Sequence, residues 1–308
     1  MSPVTELAAV IMAHRDGAQV RRLIDALDDV PIALHCDAKA DRATAAEMVR
    51  DGHRRVVSLP RTSGALDSWS LVRIELDGLR AALASSSAAH IAVLSGADYP
   101  LVGMQELCDA LRPWAEQSYL FNAPVPYEPW SMGRHPDGGR WRMARHFVTR
   151  GDDVVFVGKF PVRLPWPRRI PPGLALRASS QWKVYARADV VRLLATVDER
   201  PELVRFWRHT LVPDESFVSS VLSSPTLNGG YTLPDCYGLP WFLRWPRAGA
   251  HHPMVLTLED APAVAAARGA PPGLPQLLTN PDCPAPQALF ARKVTSDESA
   301  ALLDVLDG

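Results

Sequence analysis

The first hundred residues alternate short apolar runs with segments whose apolar positions recur at helical spacing, and no other feature narrows the fold as far. LAAVIMA (7–13) is a buried-strand pattern, and QVRRLIDAL behind it places Val20, Leu23, Ile24 and Leu27 on one helical face. PIALHCD (31–37) and RVVSL (55–59) repeat the strand pattern, with the helix-like ATAAEMV between them. DSWSLVRIELDGLRAAL sets Trp69, Val72, Leu76, Leu79 and Leu83 on one face, with Asp67 or Ser68 as its N-cap. IAVLSGADYP (91–100) is a further strand ending in a glycine turn. Strand and helix units of this length predict an α/β fold with a mostly parallel sheet flanked by helices. Ligands on such sheets bind beyond the carboxyl ends of the strands.

That rule picks out His14 and Arg15 after the first strand, His35, Asp37 and Lys39 after the second, and Ser95, Gly96, Asp98 and Tyr99 after the fourth. These polar groups either surround a ligand or cap helices and fill turns. From 123 to 178 the periodicity fades and Pro, Gly, Trp and Arg take over, as in RHPDGGRWRMARH and RLPWPRRIPPG. Arg134, Arg140, Arg142, Arg145, Arg163 and further basic residues there face Asp137, Asp152 and Asp153. The segment is either a solvated loop or an aromatic and basic lip over a polar substrate. Regular patterning resumes with the strand SQWKVYA (180–186), the helices DVVRLLATV and ELVRFWRHTL, and TLVPDESF (210–217) ahead of another apolar run. The strand-like WFLRW, a Pro- and Gly-rich insertion (269–286), ALFARK and SDESAALLDVL close the chain. A single domain over 1–308 is expected, with a ligand-binding half (1–122), the irregular segment (123–178) and a second half (179–308).

Composition excludes some partners. The 308 residues carry 33 Lys plus Arg against 34 Asp plus Glu, a net charge of -1, which argues against nucleic-acid binding. Near the N-terminus the apolar run is only about seven residues, far short of the roughly 20 that a membrane span needs. Cys36, Cys108, Cys236 and Cys283 are scattered, without zinc or disulfide spacing, so a reduced, cytoplasmic protein is expected. The abundance of Ala, Arg and Pro suggests a bacterial source.

Catalytic signatures are mostly missing. The chain has no GxSxG, HExxH, Walker loop, GxGxxG or Asp-x-Asp, the last being the usual divalent-metal holder beside a diphosphate. His35, Asp37, His251 and His252 could form a metal cluster for a hydrolase only if the fold brought distant segments together. Asp214 and Glu215 stand behind Pro213, where they either complement a helix dipole or do acid–base work.

Six ordered blocks carry a resemblance: HCDAKA (35–40), LDSWSLVRIELDGL (66–79), VLSGADYPL (93–101), SSQWKVYAR (179–187), TLVPDESF (210–217) and LFARK (289–293). Together they resemble the core-2/I-branching β-1,6-N-acetylglucosaminyltransferase and peptide O-xylosyltransferase family, over nearly the whole chain. The resemblance implies a glycosyltransferase A-type (Rossmann-like) fold and a metal-independent, inverting transfer from a UDP-sugar, without a cofactor. It implies Glu215 as catalytic base and Lys293 as the contact to the UDP diphosphate. A second family basic residue has no clear counterpart; Arg292, Arg268, Arg247 or His252 could stand in. His14, Asp37, Lys39 and Arg292 are further candidates for UDP-sugar binding. Asp98, Tyr99, Ser180, Gln181, Trp182 and Asp214 are candidates for the acceptor or sugar pocket, although Trp182 could equally be core and Asp214 scaffold. Trp69 is expected in the core. The vertebrate relatives are membrane-anchored and disulfide-rich, which this chain does not match, so the acceptor is expected to be a bacterial glycan, a lipid-linked precursor or a small-molecule metabolite. A binding protein of the same fold without turnover is the alternative.

Overall fold

The computed structural model describes residues 6–49, 55–131, 135–247, 250 and 252–307; Arg134 and His251 lie outside the described residues. Strands β1 (Leu7–Ala13), β2 (Ile32–Cys36), β3 (Val56–Ser58) and β4 (His90–Ser95) run parallel in the order β4-β1-β2-β3. All seven residues of β1 are buried. Leu7, Ala9, Ile11 and Ala13 enter one apolar cluster, while Ala8, Val10 and Met12 enter another. A strand covered on both faces must be apolar at every position, which is why LAAVIMA shows no polar alternation.

Helices α1 (Gly17–Ala26), α2 (Arg42–Met48), α3 (Trp69–Ser85) and α4 (Met104–Leu111) follow strands in the first half. Val20, Leu23 and Ile24 of α1 pack with Leu107 and Leu111 of α4 on one side of the sheet. On the other side α3 buries Trp69, Val72, Leu76 and Leu79. Gly78 lets α3 approach β1, since a Cβ there would stand 2.3 Å from Val10 Cγ1.

The expected single strand over 91–100 breaks in two. Asp98 accepts from the Ser95 amide and Ser95 Oγ from the Ala97 amide, so the chain turns at Gly96 and Ala97. Beyond the turn, β5 (Asp98–Pro100) joins a second sheet. Gly96 is required there because a Cβ would sit 2.7 Å from Val20 Cγ2. Strand β6 (Lys183–Ala186) returns to the main sheet antiparallel to β4, so both halves of the chain share one core. Its companions are α5 (Arg140–Ala144) before it, and α6 (Arg187–Glu199), α7 (Pro201–Arg208) and α8 (Phe217–Leu222) after it.

The second sheet has the order β7-β8-β5, with β7 (Trp241–Leu243) parallel to β8 (Phe290–Arg292) and β5 antiparallel to β8. Helices α9 (Ala261–Arg268) and α10 (Ala300–Asp307) cover it. Neither α4 nor α9 was expected from the pattern. Between 123 and 178 the chain folds into paired two- to five-residue strands, among them Arg145–Phe147 with Arg163–Pro167. Ser68 stands at the N-cap of α3 but does not cap it; its hydroxyl accepts from the Val154 amide at 2.9 Å instead. Among the described residues no helix is long and apolar enough to cross a membrane. The four cysteines are unpaired.

Candidate active site

Val212 takes a left-handed backbone (φ 53°), its amide tied to the Asp67 carbonyl at 3.1 Å, and Pro213–Glu215 follow as one tight turn before α8. Proline at the first position needs no amide donor, and the two acids sit where a helix start tolerates negative charge. The turn therefore starts a helix and at the same time fixes the position of Glu215. The Ser179 amide donates to the Glu215 carbonyl at 2.7 Å. Arg142 of α5 donates to Glu215 Oε2 at 3.1 Å, and its guanidinium lies 4.2 Å above the Trp130 ring. The Glu215 side chain remains 37% exposed, so it is not sealed from solvent. Burial raises the Glu215 carboxyl above the ordinary carboxylate range, and the Arg142 charge and hydrogen bond oppose that rise.

Asp214 behaves differently. It is buried, its Oδ1 has no hydrogen-bond partner, and desolvation together with the Glu215 charge pushes its carboxyl up to about 8. A neutral carboxyl packed inside the turn is scaffold, not a ligand contact. Beneath the turn, Lys183 of β6 is fully buried and donates to both Glu75 carboxylate oxygens at 3.2 Å, to the Gln181 carbonyl at 3.0 Å and to the Asp214 carbonyl at 3.2 Å. The Tyr185 hydroxyl donates to Glu75 Oε1 at 2.5 Å. Sequence reasoning missed this network. Its signal was a lysine inside an apolar strand and a glutamate beside the apolar face of α3, each of which must find a partner when buried.

A basic cleft forms where β1, β4 and β8 end, lined by His14, Arg15, Asp16, Ser95, Arg292 and Lys293 among others. Asp16 fixes it by accepting from the Gln19 amide at 3.2 Å and from the Ser296 amide at 2.9 Å. Burial is the main cause lowering the affinity of His14 and of Lys293 for a proton, and neighbouring arginines add to it. Arg292 and Asp98 are cross-strand partners on β8 and β5, with an ion pair at 3.3 Å. Arg292 also donates to Ser95 Oγ and stacks 4.0 Å from the Trp182 ring. That guanidinium is largely committed within the protein. Lys293 Nζ has no hydrogen-bond or ion-pair partner among the described residues, which leaves it for an anion.

Ser180 and Gln181 lie half-buried as the two residues between Ser179, bonded to Glu215, and Trp182, stacked on Arg292. Trp182 is 9% exposed and belongs to the core cluster with one ring face under Arg292.

Other sequence candidates fall elsewhere. Tyr99 is corrected: strand alternation turns it away from Asp98, its ring packs with Leu302 and Leu303, and its hydroxyl donates to Asp307. Asp98 is fully buried between Arg292 and the Ser95 amide, so it orders the cleft and does not touch a ligand. Asp37 pins its own loop, accepting from the Lys39 amide at 2.7 Å and the Gly64 amide at 2.8 Å. Lys39 is exposed and donates to the Gly64 carbonyl at 2.6 Å. Of the other basic stand-ins, Arg268 closes α9 and Arg247 and His252 lie outside the residues lining the cleft. Among the described residues no three His, Cys, Asp or Glu side chains gather as metal ligands.

Residues 15–259 match the model of a family described as "Branch: Core-2/I-Branching enzyme". No protein of curated function matches the sequence. Among solved structures, a Bacillus anthracis protein described as a glucose-1-phosphate thymidylyltransferase in complex with a sucrose is similar at 9% identity. The match covers 61% of this chain and 74% of that one with a TM-score of 0.29. HddC from Yersinia pseudotuberculosis is similar at 10% identity, covering 59% of this chain and 78% of that one, with a TM-score of 0.27. Likeness at that level carries no argument about the chemistry.

Proposed function

The chain belongs to the core-2/I-branching enzyme family and is therefore a glycosyltransferase using a nucleotide sugar; from that premise we propose a metal-independent, inverting transfer from a UDP-sugar, GlcNAc or xylose, to an acceptor hydroxyl. The observation that carries this reading is the Glu215 carboxylate, fixed by Arg142 at 3.1 Å yet 37% exposed. Its rigid turn is bonded to the Ser179–Trp182 stretch that leads to the basic cleft.

Inversion needs a base on the face of the sugar opposite the leaving group. Glu215 takes the acceptor hydroxyl proton as that oxygen bonds to the anomeric carbon, and the bond from that carbon to the β-phosphate oxygen breaks with its electron pair leaving on UDP. Charge then grows on the diphosphate. Lys293, with no hydrogen-bond or ion-pair partner among the described residues, neutralises that charge more fully in the transition state than in the ground state. Arg292, held by Asp98, adds fixed positive potential behind it. Ser180 and Gln181 line the space between, where the transferred sugar would lie. The acceptor approaches past the lip of Trp130 and α5.

The Glu215→Gln variant tests the reading and separates it from a binding protein of the same fold. Transfer should fall by about 10²- to 10⁴-fold, the usual worth of a positioned base, while UDP binding by calorimetry stays within twofold. An unchanged transfer rate would remove Glu215 from the mechanism.

A further inference from the structure

One face of α5 delivers Arg142 to Glu215, and another walls a separate cavity of about 240 Å³ that the transfer described above does not use. His135, Asp137, Arg140, Trp141, Arg145 and Arg163 line it. The His135 and Trp141 rings stack at 4.0 Å, and Trp141 packs edge-on against buried Phe147, so this wall is anchored in the protein. Arg145 is held by the Pro165 carbonyl at 2.9 Å. Among the described residues the Arg140 and Arg163 guanidiniums make no hydrogen bond or ion pair. Asp137 also lines the cavity, and among the described residues its carboxylate makes no hydrogen bond or ion pair.

This pattern specifies a ligand with two kinds of group. Three guanidiniums outnumber the single Asp137 carboxylate around this space, which leaves it net positive, and their planar forks match a carboxylate or phosphate. A carboxylate in the cavity wall that lacks a protein donor can accept from a ligand hydroxyl. Oxyanion plus hydroxyls describes an acidic sugar. The cavity is smaller than the roughly 300–1,000 Å³ of drug-sized sites, which suits one sugar residue. We propose that this cavity binds an acidic sugar residue of the acceptor, a uronic acid or a sugar phosphate. Its acid group meets Arg140, Arg145 and Arg163, and its hydroxyl donates to Asp137. The inference rests on the reading that the acceptor reaches Glu215 over α5; the width of that helix, about 10 Å, then separates the acidic group from the reacting hydroxyl.

Indole amide resonances of the nitrogen-15-labelled full chain, without nucleotide, provide the test, with the Trp141 signal assigned through Trp141→Phe. Titration with glucuronate or glucose 6-phosphate should move that signal saturably, and glucose should bind at least tenfold more weakly. Response to both acids supports a general acidic-sugar site, and response to one alone assigns the acid as carboxylate or phosphate. Arg140→Ala and Arg163→Ala change exposed side chains, so the remaining signals should keep their positions while acidic-sugar affinity drops about tenfold or more. Lys293→Ala should leave the Trp141 response intact. No movement with either acid, an equal response to glucose, or unchanged affinity in both arginine variants would overturn the inference. The assay needs neither donor nor turnover, so it can fail while Glu215→Gln still loses transfer, and the reverse outcome is equally readable.

Discussion

Glu215 is one carboxyl under two opposing influences. Burial raises its proton affinity, and Arg142 lowers it through charge and a hydrogen bond, with the net position above the ordinary carboxylate range. A base must be deprotonated to act, so the transfer rate should rise with pH through that raised pKa and then level. Removing Arg142 takes away what favours the charged form. In Arg142→Gln the acid limb of the pH–rate profile should therefore move upward. The 37% exposure of Glu215 lets solvent screen part of the Arg142 charge, which limits the movement. Below the limb the variant should be several-fold slower; on the plateau the loss should be smaller. An acid limb that does not move would show that Arg142 does not tune the base. The neighbouring acid offers a contrast, because Asp214 is neutral below about 8 and has no free path to solvent. Two adjacent acids thus meet different surroundings, one sealed beside a like charge and one held by Arg142, a distinction that the letters PDE do not encode.

The element that aims the turn is the clamp between α3 and β6. Lys183 and Glu75 are 0% and 1% exposed, and Lys183 alone joins the Glu75 carboxylate to the Asp214 carbonyl. Removing one partner of a fully buried pair strands the other charge, at a cost of about 3–5 kcal/mol. Lys183→Met should therefore lower the denaturation midpoint sharply, and Lys183→Met with Glu75→Leu should recover much of it. Recovered stability without recovered kcat in the double variant would identify Lys183 as a positioning residue for the Glu215 turn. A double variant as unstable as the single one would refute the clamp. Such pairing explains what the sequence could reveal. β1, β2 and α3 were legible because seven-residue apolar runs and a 3.6-residue stripe are local signals. The sheet of β5, β7 and β8 was not, because three-residue strands are shorter than any period they could display. Glu215 and Lys293 were reachable through ordered blocks, whereas Arg142 was one arginine among many until folding set it against Glu215. Tyr99 was misplaced because its strand leaves the main sheet after Gly96.

Across the whole molecule, a net charge of -1 means that the chain supplies no general attraction for a nucleotide. Under the proposed function, the attraction is built locally in the cleft where β1, β4 and β8 end. Asp98 absorbs much of the Arg292 charge, the His14 proton affinity is lowered, and Lys293 and Arg15 are left as cations without a hydrogen-bond or ion-pair partner among the described residues. Burial and the nearby Arg292 and Arg15 also lower the Lys293 proton affinity, so a bound diphosphate and the lysine proton should stabilise each other. UDP at about 100 times its dissociation constant should then stabilise the fold by about 2.7 kcal/mol, visible as a thermal shift of a few degrees. The chain carries no Asp-x-Asp to hold a bridging ion, so the same shift and full transfer activity should persist in excess EDTA. Lys293→Met should abolish most of the shift without lowering the midpoint of the free protein. Added salt should reduce the UDP shift in the native chain far more than in that variant, since screening acts on the charge the variant lacks. Loss of transfer in EDTA, restored by a divalent ion, would instead assign the neutralising charge to a metal and leave Lys293 a secondary contact.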